Sequence, residues 1–316
     1  MKKRTLGRTG LKVSEIGFGG WAIGGDAFGN SYGATDDAES KRAIRRALEL
    51  GVTLVETADI YGHGHSEALI GEALAEWSGK APVVVTKGGI NFYRDVGAPE
   101  PDWSPYALAN AVERSRARLR QEALDVFLLM SPPVHDLDRF RAWDTMDALK
   151  RAGKIRHWGV SAADPEDGVW LLENGIPVEV IEVSYSIFYQ GAIHELLPLA
   201  RKHRVGILGR EPLANGFLAG KYDADARFPE GDMRSTLPPE YIAAMAHAAR
   251  RLRFLAHEGS RTAVQAAMRF SLDEPGIASV IAGAKTVEQV EENIGAVSLP
   301  PLTEEERTQI MEVFSE

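Results

Sequence analysis

Short β-branched apolar runs, each followed by a polar break and a helical stripe, recur along this chain. Runs at 15–20, 53–58, 82–87, 125–130, 155–161, 178–185, 206–212 and 279–283 read as strands. Between them, 37–50, 66–77, 104–119, 138–152 and 192–204 carry apolar residues at helical spacing. Strands alternating with helices predict parallel βαβ units, and eight such units predict closure into a (β/α)8 TIM barrel of the α/β class. Segment 240–258 predicts a helix outside the repeat, and 303–314, with Thr303 ahead of three glutamates, a capped C-terminal helix. The opening RTLGRTGLK reads as a solvated hairpin. One domain spanning residues 1–316 is expected.

The strand runs end in polar groups: Glu56, Lys87, Ser161, Glu182, Arg210. Inside a packed barrel such groups are expensive without partners, whereas at the C-terminal mouth they converge where barrel enzymes do their chemistry. The irregular stretches 88–103 and 223–239 follow strand ends, so both are expected over that mouth.

Composition narrows the functional classes. The formal net charge of −9 is spread evenly, with no basic stripe of the kind that binds nucleic acid. With no cysteine, disulfides, thiolate catalysis and zinc–thiolate sites are excluded. No run approaches the roughly 20 apolar residues of a membrane span, and the N-terminus lacks a secretory apolar core. The expectation is a cytoplasmic protein acting on a small molecule, with no nucleic-acid or membrane partner and an open oligomeric state.

The stretch VETADIYGHGHSE, 55–67, sets a carboxylate and a phenol at the mouth of a buried strand. Taken with LGRTGLKVSEIGFGGW, VVVTKGG, LKRAGKIRHWGVS, PLANGFLAGKY and IAGAKTVEQVEENI, it resembles the aldo-keto reductase superfamily nearly end to end, most closely its bacterial members. The resemblance implies a (β/α) barrel that reduces carbonyls with NADPH. It implies Tyr61 as proton donor, Lys87 as its neighbouring cation, and Glu56 as the supporting carboxylate, where the family normally keeps Asp. An ammonium beside a phenol is expected to lower its pKa and ease proton donation. Asp59, two residues from Tyr61, is expected to face away.

Other positions depart from the family pattern. Its histidine at the end of strand four is Met130 here, and a thioether cannot donate a hydrogen bond. Met130 therefore either packs the barrel top or marks redirected chemistry; His63 and His65 are weaker substitute donors and, as HGH, a weak metal signal. Cofactor contacts are implied at Gly20, Trp21, Ser161, Glu182, Arg210, Pro212 and Leu213. The usual Asn after Ser161 is Ala162, Glu182 replaces a glutamine, and Arg210 replaces an aromatic. An anionic Glu182 would favour the oxidised, positively charged nicotinamide; Arg210 would oppose that unless the two pair. GFLAGKY supplies Gly216 and Lys221 for the pyrophosphate. GAKTVEQVEEN supplies Gly283, Lys285 and Gln289 for a ribose phosphate, with Glu292 and Asn293 for adenine; Lys285 beside a helix start favours NADP. No metal is expected. Pocket specificity is assigned to Trp21, Trp103, Phe92 and Tyr93.

Three readings stay open: an NADP-dependent carbonyl/alcohol oxidoreductase, an oxidoreductase redirected to double-bond reduction, alcohol oxidation or epimerisation, and a slow NADP(H)-binding redox sensor.

Overall fold

The computed structural model describes residues 1–28 and 31–314. An antiparallel hairpin of β1 (Lys3–Thr5) and β2 (Lys12–Ser14) precedes the first barrel strand, β3 (Ile16–Gly19). After α1 (Asp37–Glu49) come β4 (Leu54–Glu56), α2 (His65–Ala75) and β5 (Val83–Gly88). A short hairpin, β6 (Ile90–Asn91) with β7 (Glu100–Pro101), lies within the loop that leads to α3 (Pro105–Leu119). Next follow β8 (Leu124–Met130), α4 (Val134–Phe140), α5 (Ala142–Arg151), β9 (Ile155–Ser161) and α6 (Pro165–Glu173). The chain continues through β10 (Val180–Ser184), α7 (Leu196–His203), β11 (Gly206–Arg210), α8 (Pro239–Arg251), α9 (Ala263–Leu272), β12 (Ser279–Gly283), α10 (Val287–Gly295) and α11 (Glu304–Val313).

The eight strands β3, β4, β5, β8, β9, β10, β11 and β12 pair in that cyclic order, all parallel, into a closed barrel. The predicted helix over 138–152 is two helices, because Arg141 takes φ +46° between Phe140 and Ala142. Segment 240–258 is helical only through Arg251, then tightens to a 3₁₀ turn at Leu252–Leu255.

Side chains on a strand alternate between faces. Leu54, Val85, Val126, Leu128, Val180 and Leu208 fill the barrel interior as one apolar cluster. Stepping two residues from Leu54, Val85, Leu128, Val180 and Leu208 arrives at Glu56, Lys87, Met130, Glu182 and Arg210, which form the next layer towards the mouth. The hairpin is only partly the solvated element expected: Leu6 and Val13 are fully buried and join the interior cluster, sealing the floor. Among the described residues no helix is long and apolar enough to cross a membrane.

Candidate active site

Tyr61 is delivered by a tight turn between β4 and α2. Gly62 holds φ +60°, and a Cβ there would fall 2.0 Å from the Gly24 carbonyl oxygen, so only glycine lets the two segments touch. The turn closes with the Ser66 amide donating to the Tyr61 carbonyl at 3.2 Å. Trp21 leans on the phenol ring, centroids 5.0 Å apart.

Lys87 rises from β5 beneath that ring. Its Nζ donates to Tyr61 Oη at 2.9 Å and to the Thr57 carbonyl at 3.1 Å, and it pairs closely with Glu56. Tyr61 Oη in turn donates to Glu56 Oε1 at 3.2 Å. Glu56, one methylene longer than the aspartate of the family pattern, thus reaches both partners. Glu182 Oε1 lies 3.4 Å from the same ammonium and accepts the Ser161 hydroxyl at 3.0 Å.

The electrostatics of this cluster correct one expectation. Burial, then Glu56 and Glu182, push the Tyr61 phenol above its ordinary value, and the pull of Lys87 does not prevail. The ammonium is present, but two carboxylates offset it. Burial alone would lower Lys87, yet Glu182 and Glu56 outweigh it and hold the ammonium charged. The arrangement therefore keeps a proton on Tyr61 Oη rather than releasing it. Burial also raises Glu182, against the opposing pull of Lys87.

Asp59 faces away, as expected. It is buried in a separate network where Tyr93 Oη donates to it at 3.4 Å, and where Arg118 bonds both Tyr93 and Glu67. Burial, with Glu67 adding to it, lifts the Asp59 carboxyl well above its usual range. His63 stacks between Phe28 and Phe92, while His65 meets Asp37 at 2.9 Å, so the two rings take unrelated partners.

Met130 ends β8 half-buried, packed in a cluster with Tyr61, Ala58, Ile60 and Phe92, and it also lines the cleft. Packing the barrel top and facing the site are one and the same position. The anticipated Glu182–Arg210 pair does not form. Arg210 Nη1 meets Glu211 at 3.1 Å, and its Nη2 donates to the carbonyls of Ala162 and Ala163 at 3.1 and 3.4 Å. Glu211 can reach back because it adopts φ +58°, where the Ser184 hydroxyl donates to it at 2.7 Å.

These groups open into a cleft of about 690 Å³, within the range of small-molecule sites. Trp21, Ser161, Glu182, Arg210, Pro212, Leu213, Gly216, Lys221, Gly283, Lys285, Gln289, Glu292 and Asn293 all line it. Gly19 rather than Gly20 lines it; Gly20 lies behind, its carbonyl accepting the Ser66 hydroxyl at 2.8 Å. Trp103, Phe92 and Tyr93 pack in the surrounding shell instead of lining the cleft.

Sequence reasoning missed a strap formed by two loops. Tyr32 Oη donates to Asn215 Oδ1 at 2.7 Å, and the Met233 amide donates to the Ser31 carbonyl at 2.7 Å. Arg234 lies over the Tyr32 ring at 4.8 Å and is fixed by Asp232 at 2.6 Å. Only the loop 223–239 carried a signal, through its length and its place after a strand. Lys285 Nζ ties this strap to α10, donating to the carbonyls of Tyr32, Gly33 and Ala34 at 2.7, 3.0 and 3.1 Å. At the start of α10 the Val287 amide already donates to Glu39 at 3.0 Å, and the Gln289 amide to Thr286 at 3.3 Å.

The donor set fits a dinucleotide. Two lysines suit phosphates, and Tyr61 and Glu56 line the same cleft with Lys87 buried behind them. Residues 15–314 match the model of the aldo/keto reductase family. The glycerol dehydrogenase AKR11B4 of Gluconobacter oxydans is similar in structure, with a TM-score of 0.83 and 29% identity, covering 99% of this chain and 95% of that one. The holo form of aldo-keto reductase AKR11C1 from Bacillus halodurans superposes with a TM-score of 0.79 at 29% identity, covering 99% and 96%. The NADH-specific methylglyoxal reductase of Escherichia coli is 28% identical over 95% of this chain and 94% of its own. With nearly the whole length matched and the barrel closed around this cleft, the chain belongs to the aldo/keto reductase family.

Proposed function

We propose that the protein is an NADP(H)-dependent oxidoreductase that moves hydride between nicotinamide and a small polar carbonyl or alcohol. The observation that carries this reading is the contact of Tyr61 Oη with Lys87 Nζ at 2.9 Å, with Tyr61 lining the cleft that Lys221 and Lys285 also line. When bound, the cofactor supplies the hydride. Tyr61 holds the proton at Oη and gives it to the carbonyl oxygen as that oxygen becomes an alkoxide, a stronger base than a phenolate. Lys87 stabilises the phenolate left behind. Glu56 fixes Lys87 and orients the Tyr61 hydroxyl. Met130 gives the substrate oxygen no hydrogen bond, so Tyr61 is its donor.

Similarity to a glycerol dehydrogenase and a methylglyoxal reductase supports a small polar substrate. The preference for NADP rests on Lys285. A phosphate attracts an ammonium more strongly than neutral carbonyls do, so the 2′-phosphate would draw Lys285 from the carbonyls of Tyr32, Gly33 and Ala34. That choice is open to test, since one relative is NADH-specific.

The experiment compares initial rates with NADPH and NADH against methylglyoxal, nitrobenzaldehyde, an enone and a secondary alcohol with the oxidised cofactor. NADPH should be preferred, and Lys285→Ala should weaken its KM by about ten- to a hundredfold, the range for one hydrogen bond to a charged group. Equal use of NADH would remove the NADP assignment. No turnover of either cofactor on any of these compounds would remove the enzymatic one.

A further inference from the structure

Lys87 stands between two buried carboxylates. Glu56 pairs with its Nζ, and Glu182 approaches it at 3.4 Å; side-chain exposure is 0% for Lys87, 5% for Glu56 and 1% for Glu182. With Glu56 and Glu182 both ionised, two carboxylates face one ammonium; burial works against the Glu182 charge, while Lys87 and Arg210 favour it. The next cation, Arg210, is diverted to Glu211 and to the Ala162 and Ala163 carbonyls. Glu182 Oε1 has the Ser161 hydroxyl, but Oε2 is buried with no hydrogen-bond partner among the described residues, on a residue lining the cleft. In its ionised form a carboxylate this deeply buried acts with little screening on any charge that develops nearby, and a cationic ring beside it favours that ionised form in turn.

The geometry points to Glu182 as a positioning residue for charge: it stabilises the oxidised, cationic nicotinamide over the neutral reduced ring and so biases the enzyme towards hydride donation. This rests on the dinucleotide reading above. In that direction the C4–H bond breaks with its electron pair, and a C–H bond forms at the carbonyl carbon. The C=O pair moves onto oxygen, oxygen takes the Tyr61 proton, and the ring becomes positive. A negative charge beside the ring lowers the potential of the bound couple and helps the hydride leave. It thereby offsets part of what Met130, lacking a proton to donate, withholds from the substrate oxygen.

The test is equilibrium titration of the full chain with NADP⁺ and, separately, with NADPH. The wild type is expected to bind NADP⁺ more tightly than NADPH. In Glu182→Gln the ratio Kd(NADPH)/Kd(NADP⁺) should fall about tenfold, on the order expected for one unit charge in a partly screened site, or about 30 mV for the two-electron couple. Glu182→Asp keeps the charge and should stay within about threefold of wild type. A wild type that prefers NADPH overturns the proposal whether or not the variants fold. So does an unchanged ratio in a folded Gln variant, or an equal shift in both variants, which would make shape rather than charge the cause. If the wild type binds neither form, it is the dinucleotide reading that fails, and this inference with it.

Discussion

Replacing Met130 with histidine probes the most unusual position in the site. Met130 is the last residue of β8, registered against Ser161 on β9, and its half-buried side chain lines the cleft beside Tyr61. Histidine is no larger than methionine, so the position tolerates it, and a neutral imidazole brings one N–H that a thioether lacks. Removing a single preorganised donor from an oxyanion site typically costs about 3 kcal/mol, or 10²–10³ in rate. A donor inserted into a wall not shaped for it should recover part of that, at least about 1.4 kcal/mol or tenfold. The gain should appear in kcat and not in KM, because the bond strengthens only as charge builds on the oxygen. Stopped-flow single turnovers with saturating NADPH and nitrobenzaldehyde measure the hydride step directly. Met130→Leu is the control, keeping volume without a donor, and should stay within about threefold of wild type. Equal rates for the folded His and Leu variants would refute the reasoning and remove Met130 from the reacting centre.

Two further perturbations test the frame around the site. Asp59 has its pKa raised by burial; the stability it contributes is complete below its unfolded value and is lost as pH rises through the folded one. Asp59→Asn should therefore gain stability over wild type as pH rises above the ordinary carboxylate value of about 3.9, by up to about 1.4 kcal/mol per pH unit until the folded carboxyl ionises; a difference independent of pH in calorimetry would contradict this. Leu6→Ala should remove about 2–5 kcal/mol by opening a cavity in the barrel floor, with kcat at 25 °C unchanged because the floor is remote from the mouth. A denaturant midpoint that does not move would show that the hairpin does not seal the barrel.

The barrel was legible because each strand announces itself as a run of apolar residues broken by a polar end, and because parallel strands buried on both faces need such runs. The runs at 155–161 and 279–283 coincide with β9 and β12. The roles of Tyr61, Lys87 and Glu56 were legible through the resemblance carried by VETADIYGHGHSE and VVVTKGG, and the polar ends of the strand runs at Glu56 and Lys87 pointed to the same mouth. Other features depend on contacts far apart in sequence. The break at Arg141 is a single backbone dihedral that no apolar period encodes. Arg210 turning to its neighbour Glu211 follows from the positive φ of that residue, which a non-glycine rarely adopts. The strap joining Tyr32 to Asn215 spans 183 positions, with no periodic signal at either end. The sign of the Tyr61 shift follows first from burial, then from the carboxylates around Lys87, of which Glu182 reaches it from the far wall of the barrel.

The central claim is that Tyr61 holds the proton that the reaction consumes. Its most direct test is Tyr61→Phe, titrated with NADPH and then assayed for oxidation of that cofactor by nitrobenzaldehyde in the same sample. NADPH affinity within a few-fold of wild type, with turnover reduced by about 10³ or more, is the result this structure predicts. A folded variant that binds NADPH and retains wild-type turnover would contradict it.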